Sequence, residues 1–180
     1  MRKVWFRLLC ATWLLAAGTP VRAEVRVVDD SGATISLAQP AKRIISLAPH
    51  LTETLFAAGA GERIVGTVEY SEYPPAASRI ARVGGYSRVD LERVAALRPE
   101  LIIAWQSGNA AAHLDRLRAL RIPIYLSQLN RIEDVASEIE RLGVLAGSPA
   151  VANRAADSFR QRLAALQKRY GSRPPVPTFY

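Results

Sequence analysis

Four short apolar runs, RIISLA (43–48), IVGTV (64–68), LIIAW (101–105) and PIYLS (123–127), alternate with segments whose apolar residues recur at helical spacing. Runs of this length suit strands buried on both faces, and strands separated by helices suit a parallel sheet built from βαβ units. Such a sheet binds ligands beyond the carboxyl ends of its strands. Those ends lead here into 49–51, 69–75, 106–109 and 128–130, the loops in which a function is to be sought.

The intervening segments carry their own punctuation. Pro49 ends the first run, and Leu51, Leu55 and Ala58 form a helical stripe closed at Gly59 or Gly61. Asp90 is a predicted N-cap for a helix over 91–98, with Glu92 in its acidic first turn and Pro99 as its stop. Asn109 is predicted to cap the next helix, where Ala110, Leu114, Leu117 and Leu120 share a face. Ile132, Val135, Ile139 and Leu142 predict a further helix ending within 143–147. Ser148-Pro149 offers an N-cap followed by proline at the first helical position. Ala152, Ala155, Phe159, Leu163, Leu166 and Tyr170 then continue one face, which predicts a helix on the order of 30 Å long. Upstream, 24–37 alternates around Asp29-Asp30-Ser31-Gly32 and predicts a β-hairpin. Downstream, the proline-rich 173–177 ends the long helix, and 178–180 reads as the opening of a strand.

The first 23 residues differ in character. Arg2, Lys3 and Arg7 precede the apolar 8–17, and Val21-Arg22-Ala23 supplies a cleavage-site pattern, as in a secretory signal peptide. Export to the periplasm is the expectation. Cleavage would remove Cys10, the only cysteine, and with it disulfides and thiolate metal sites. It would also remove four basic residues and no acid, so 24 Lys+Arg against 16 Asp+Glu becomes 20 against 16. The remaining charges are interspersed, as in ERIVGTVEYSE, with no basic stripe for nucleic acid.

Catalysis finds little support. The chain has no Gly-x-Ser-x-Gly, no phosphate-cradling glycine loop and no metal-type His/Cys spacing. His50 and His113 are its only histidines; His50 follows the first strand, where it is either a ligand contact or a structural residue. A metal-dependent enzyme would need more than His50, Glu53 and His113. The aromatics say more. Tyr70 and Tyr73 lie in EYSEYPP, Tyr86 follows Gly84-Gly85, and Trp105 ends the third apolar run. Each singly could be core or rim packing, and Tyr73, beside two prolines, is expected to pack within its loop. As a set in post-strand loops they suit a flat or corrinoid-like ligand, because rings offer large apolar area with few rotors to freeze.

The stretches VRVVDDSGATISLAQPAKRIISLAP, TETLFAAGAGERIVGTVEYSEYPP and VDLERVAALRPELIIAW, with the GN that follows, resemble the N-terminal lobe of periplasmic binding proteins for cobalamin and iron-siderophores. Within that group the chain is most similar to the cobalamin-binding members, over about 25–180. The resemblance implies a Rossmann-like α/β lobe, preceded by a hairpin and joined to a second lobe by one long rigid helix. The expected division is signal peptide 1–23, hairpin 24–42, lobe 43–147, backbone helix 148–172 and the start of a truncated second lobe at 173–180. It also implies a non-enzymatic component of an ABC importer, without catalytic cofactor or metal. Its transported ligand would be cobalamin, with haem or a ferric siderophore as the alternative, and its partner an inner-membrane permease. Tyr70, Tyr86 and Trp105 fall on ligand-contact positions of the family, Tyr86 where close relatives have tryptophan; His50, just past the first strand, is counted with them as a ligand-binding candidate. Glu92, in DLERV, matches the acid that docks on permease arginines; a first-turn acid also complements the helix dipole. A siderophore would call for converging arginines, for which Arg88 is the loop candidate.

Overall fold

A computed structural model describes residues 24–85, 88–174 and 176–177. Four parallel strands, β3 (Ile44–Ser46), β4 (Ile64–Thr67), β5 (Leu101–Trp105) and β6 (Ile124–Ser127), form one sheet in the order β4-β3-β5-β6. Ahead of them β1 (Val25–Val28) and β2 (Thr34–Leu37) make an antiparallel hairpin around Asp29–Gly32. The helices are α1 (Pro49–Ala57), α2 (Leu91–Ala96), α3 (Ala111–Ala119), α4 (Asp134–Ala146) and α5 (Pro149–Tyr170). The α/β reading of the sequence therefore holds.

Side chains alternate across the pleat and divide the core into two layers. Ile44, Leu101, Ile103 and Tyr125 face a cluster with α1, α4, the start of α5 and the hairpin. Ile45, Ile102, Ala104 and Leu126 face a second cluster with Val94 of α2 and Leu114 and Leu117 of α3. Both faces are thus covered, as a parallel sheet requires.

Predicted punctuation recurs in part. Pro49 and Pro149 stand in the first turns of α1 and α5. Gly147, at φ 70, ends α4 in the left-handed conformation, and Asp90 caps α2 through the amides of Glu92 and Arg93. Two expected caps differ. Asn109 does not cap α3, whose N-cap is Ala110, and the Ser148 hydroxyl donates to the Ala58 carbonyl at 2.7 Å instead of closing α5. Asn109 Oδ1 accepts instead from Trp105 N at 2.7 Å, and Ser148 takes a partner 90 positions away. Helix α2 also ends at Ala96, two residues short of expectation. The segments 1–23 and 178–180, and with them the signal peptide and the last strand pattern, lie outside the described residues.

The hairpin turn closes the free edge of β6. Asp30 N donates to the Leu126 carbonyl at 3.0 Å, while the buried Asp29 carboxylate accepts from Leu126 N at 3.1 Å. Below it runs a buried polar chain. Tyr125 OH donates to Glu138 at 2.7 Å, and Arg141 bridges Glu138 at 2.8 Å and Asp30 at 2.7 Å. Burial pushes the Glu138 carboxyl above its ordinary value.

Helix α5 crosses α4 at close range, because a Cβ on Gly143 would overlap the Ala152 methyl. Bidentate pairing of Arg160 with Glu140, at 2.6 and 2.8 Å, fixes the two helices further along. With 22 residues α5 is roughly 33 Å long. Only Ala152 and Ala156 of it are buried, both in its first half. No helix among the described residues is long and apolar enough to cross a membrane.

Candidate ligand-binding surface

The strand order reverses between β3 and β5, since β4 lies outside one and β6 outside the other. In open parallel sheets such a point leaves a crevice at the carboxyl ends of the strands. His50, in the first turn of α1 after β3, and Trp105, at the end of β5, meet there edge to face with ring centroids 5.2 Å apart. His50 is partly buried, and burial holds its imidazole below the ordinary value of 6.5.

His50 also lines a cavity of about 580 Å³ between α1, α4 and α5. Tyr73, Leu129 and Phe159 give it apolar walls, while Glu53 and Arg162 bring opposite charges to it. This contact set was only partly legible. Glu53 reads in sequence only as a member of an incomplete metal set, and Arg162 carries no sequence signal because α5 reads as a connector. Tyr73 was expected to pack within its loop; it is 67% exposed instead and reaches the cavity.

Tyr70 is 73% exposed and has φ 65, a left-handed conformation unusual for an aromatic residue. Strain of that kind persists where the surroundings enforce it. Beneath the loop a buried cluster of hydroxyls supplies the enforcement. Thr52 Oγ1 lies 2.9 Å from Ser46 Oγ, 2.9 Å from Thr67 Oγ1 and 3.3 Å from Ser71 Oγ. It thereby joins the ends of β3 and β4 to α1 and the tyrosine loop. Arg82 adds a bond to the Ser71 carbonyl at 3.0 Å. The sequence does not announce this cluster, because its hydroxyls come together only where β3 and β4 are adjacent.

Glu92 is exposed in the first turn of α2 and lines a separate hollow of about 660 Å³ with Glu69, Arg88, His113 and Arg116. Arg88 therefore stands apart from the His50 cavity, against the idea of its joining a cationic ligand site there. Tyr86 lies outside the described residues. Among the described residues no group of three or more His, Cys, Asp or Glu could hold a metal ion.

A family model described as periplasmic binding protein matches residues 44–180. The vitamin B12-binding protein of Vibrio cholerae serotype O1 is 45% identical over 141 residues, 78% of this chain and 51% of the relative. The crystal structure of the periplasmic vitamin B12 binding protein of Vibrio cholerae superposes with a TM-score of 0.73 at 44% identity, covering 76% of this chain and 54% of that one. A periplasmic heme binding protein from Pseudomonas aeruginosa matches at 28% identity with a TM-score of 0.63, covering 72% of this chain and 50% of that one. The chain spans about half the length of the curated relatives it matches.

Proposed function

The chain belongs to the periplasmic binding protein family, and from that premise we propose that it takes part in capturing a cobalamin-type corrinoid for an ABC importer. The observation that carries the reading is the 45% identity to a vitamin B12-binding protein. The surface agrees with it chemically. Tyr73 shares the cavity of His50, Trp105 meets the His50 ring near the carboxyl ends of the strands, and Tyr70 stands exposed in the loop after β4; a broad apolar macrocycle gains most from stacking on such rings. The ligand is transported, and no bond is made or broken. Tyr70 and Trp105 are the leading contacts, His50 supports Trp105, and Tyr86 belongs to the same set.

Glu92 serves the second half of the task. An exposed acid at the start of α2 suits a rim contact with permease arginines, which orients docking more than it adds affinity. The setting is the periplasm, reached through cleavage of 1–23. Isothermal titration of the full chain with cyanocobalamin tests the ligand. Saturable binding supports the reading, and tight haem binding without corrinoid binding overturns it.

Haem is the second reading, favoured by the likeness to a heme binding protein and by the exposed phenol of Tyr70 in the loop after β4. A Soret shift lost in Tyr70→Phe would support it.

A further inference from the structure

Trp105 is held by Gly108 and Asn109, in the loop that leads into α3. Its backbone N donates to Asn109 Oδ1 at 2.7 Å, and its carbonyl accepts from Asn109 N at 2.9 Å. The Asn109 side chain then reaches across the strand reversal, where Nδ2 donates to the Leu47 carbonyl at 3.1 Å. Asn109 is buried, so these bonds form away from competing water. Leu47 lies three residues before His50, and its own N–H donates to the Ile103 carbonyl at 2.9 Å. One carboxamide thus ties the segment carrying the imidazole to the segment carrying the indole. Gly108 completes the fit, because a Cβ there would overlap the six-membered ring of Trp105.

We propose that Gly108 and Asn109 are positioning residues that hold the Trp105 indole against His50 before any ligand arrives. The inference rests on the proposed ligand reading only for its purpose; the clamp itself is a property of the free protein. An asparagine is needed because one end must accept an N–H and the other must donate to a carbonyl. Glycine is needed because the indole occupies the space of a side chain. The gain is preorganisation, since a ring fixed beforehand loses less freedom on binding.

The test uses the full chain. In the wild type the Trp105 amide exchanges slowly with deuterium, and exchange at the rate of an open loop amide overturns the proposal. Asn109→Ala abolishes that protection and returns the ring-current-shifted protons of the His50–Trp105 pair to unshifted positions. Asn109→Asp, which retains an oxygen facing Trp105 N, keeps the Trp105 protection. A folded Ala variant with unchanged ring shifts overturns the proposal. Should the Ala variant fail to fold, protection of Trp105 in the Asp variant supports the clamp and its loss in a folded Asp variant overturns it. None of these readouts needs a ligand. With cyanocobalamin, Asn109→Ala weakens binding at least tenfold, mainly through faster dissociation. A wild type that binds no corrinoid sinks the ligand reading and leaves the exchange and ring-shift results to decide the clamp. Equal affinity of wild type and Ala variant overturns the clamp's role in binding.

Discussion

The imidazole of His50 meets the indole of Trp105 with the ring planes at 88°, although 55 positions separate the two residues in the sequence. The contact exists because β3 and β5 are neighbours in the sheet and their carboxyl ends open at the reversal of strand order. An edge-to-face pair of this kind adds about 0.5–1.5 kcal/mol beyond its buried area.

The pair predicts an acid limb of stability. Burial depresses the His50 pKa, so the folded chain binds that proton less readily than the unfolded chain. The contribution of neutral His50 is complete above the unfolded value of about 6.5 and is lost as pH falls through the lower folded value. Thermal melts from pH 8 to pH 5 will show a steeper decline for the wild type than for His50→Phe. Parallel pH profiles would remove His50 as the cause.

Replacing Thr52 by valine keeps the volume and deletes the hydroxyl at the centre of the buried cluster. Ser46, Thr67 and Ser71 each lose a partner, for a destabilisation of about 1–3 kcal/mol by urea titration. The tyrosine loop loosens as well, so backbone amide exchange at Tyr70 will accelerate more than exchange in α4. A uniform acceleration across the chain would mean that the hydroxyls do not anchor that loop.

Glu138 and Arg141 will respond oppositely to neutralisation. Burial raises the Glu138 pKa, so its favourable contribution is present below the unfolded value and is lost as pH rises through the folded one. At pH 7 Glu138→Gln is therefore expected to leave stability unchanged or higher, since Arg141 keeps Asp30. Arg141→Met leaves Glu138 buried without its cation and will cost about 3–5 kcal/mol. Equal losses in the two variants would contradict this account.

The crossing of α4 and α5 leaves no room at Gly143. Gly143→Ala gains helix propensity but forces the helices apart at Ala152, with a net destabilisation of about 1–3 kcal/mol. The combination with Ala152→Gly should restore much of the loss. Additive effects in that double variant would show that the two residues do not share the contact.

Much of the scaffold is legible because local signals agree with the sheet. The run LIIAW is bounded by Pro99 and by polar Gln106, and β5 occupies those same five residues. Asp90 behaves as a cap because its side-chain partners lie close behind it, the amides of Glu92 and Arg93 and the Arg93 guanidinium at 3.2 Å. Asn109 and Ser148 have the same capping chemistry, yet Asn109 accepts from Trp105 N while donating to Leu47, and Ser148 donates to Ala58. Which partner a short polar side chain takes depends on strand order, and one sequence does not reveal strand order. The candidate surface divides in the same way. Tyr70 follows β4 and Trp105 ends β5, positions the sequence pattern marks, whereas Arg162 reaches its cavity only because α5 folds back along α4.

The hairpin turn and β6 are separated by nearly a hundred residues, since Asp29 and Leu126 lie 97 positions apart. Closing so long a loop carries a large entropic cost that only an assembled β6 can repay, so the docking belongs late in folding. Residues 24–37 are made before the strand they protect. Until that strand is in place its backbone groups are open to other chains, and the kinetics of this single closure set how long the nascent sheet is exposed to misassembly.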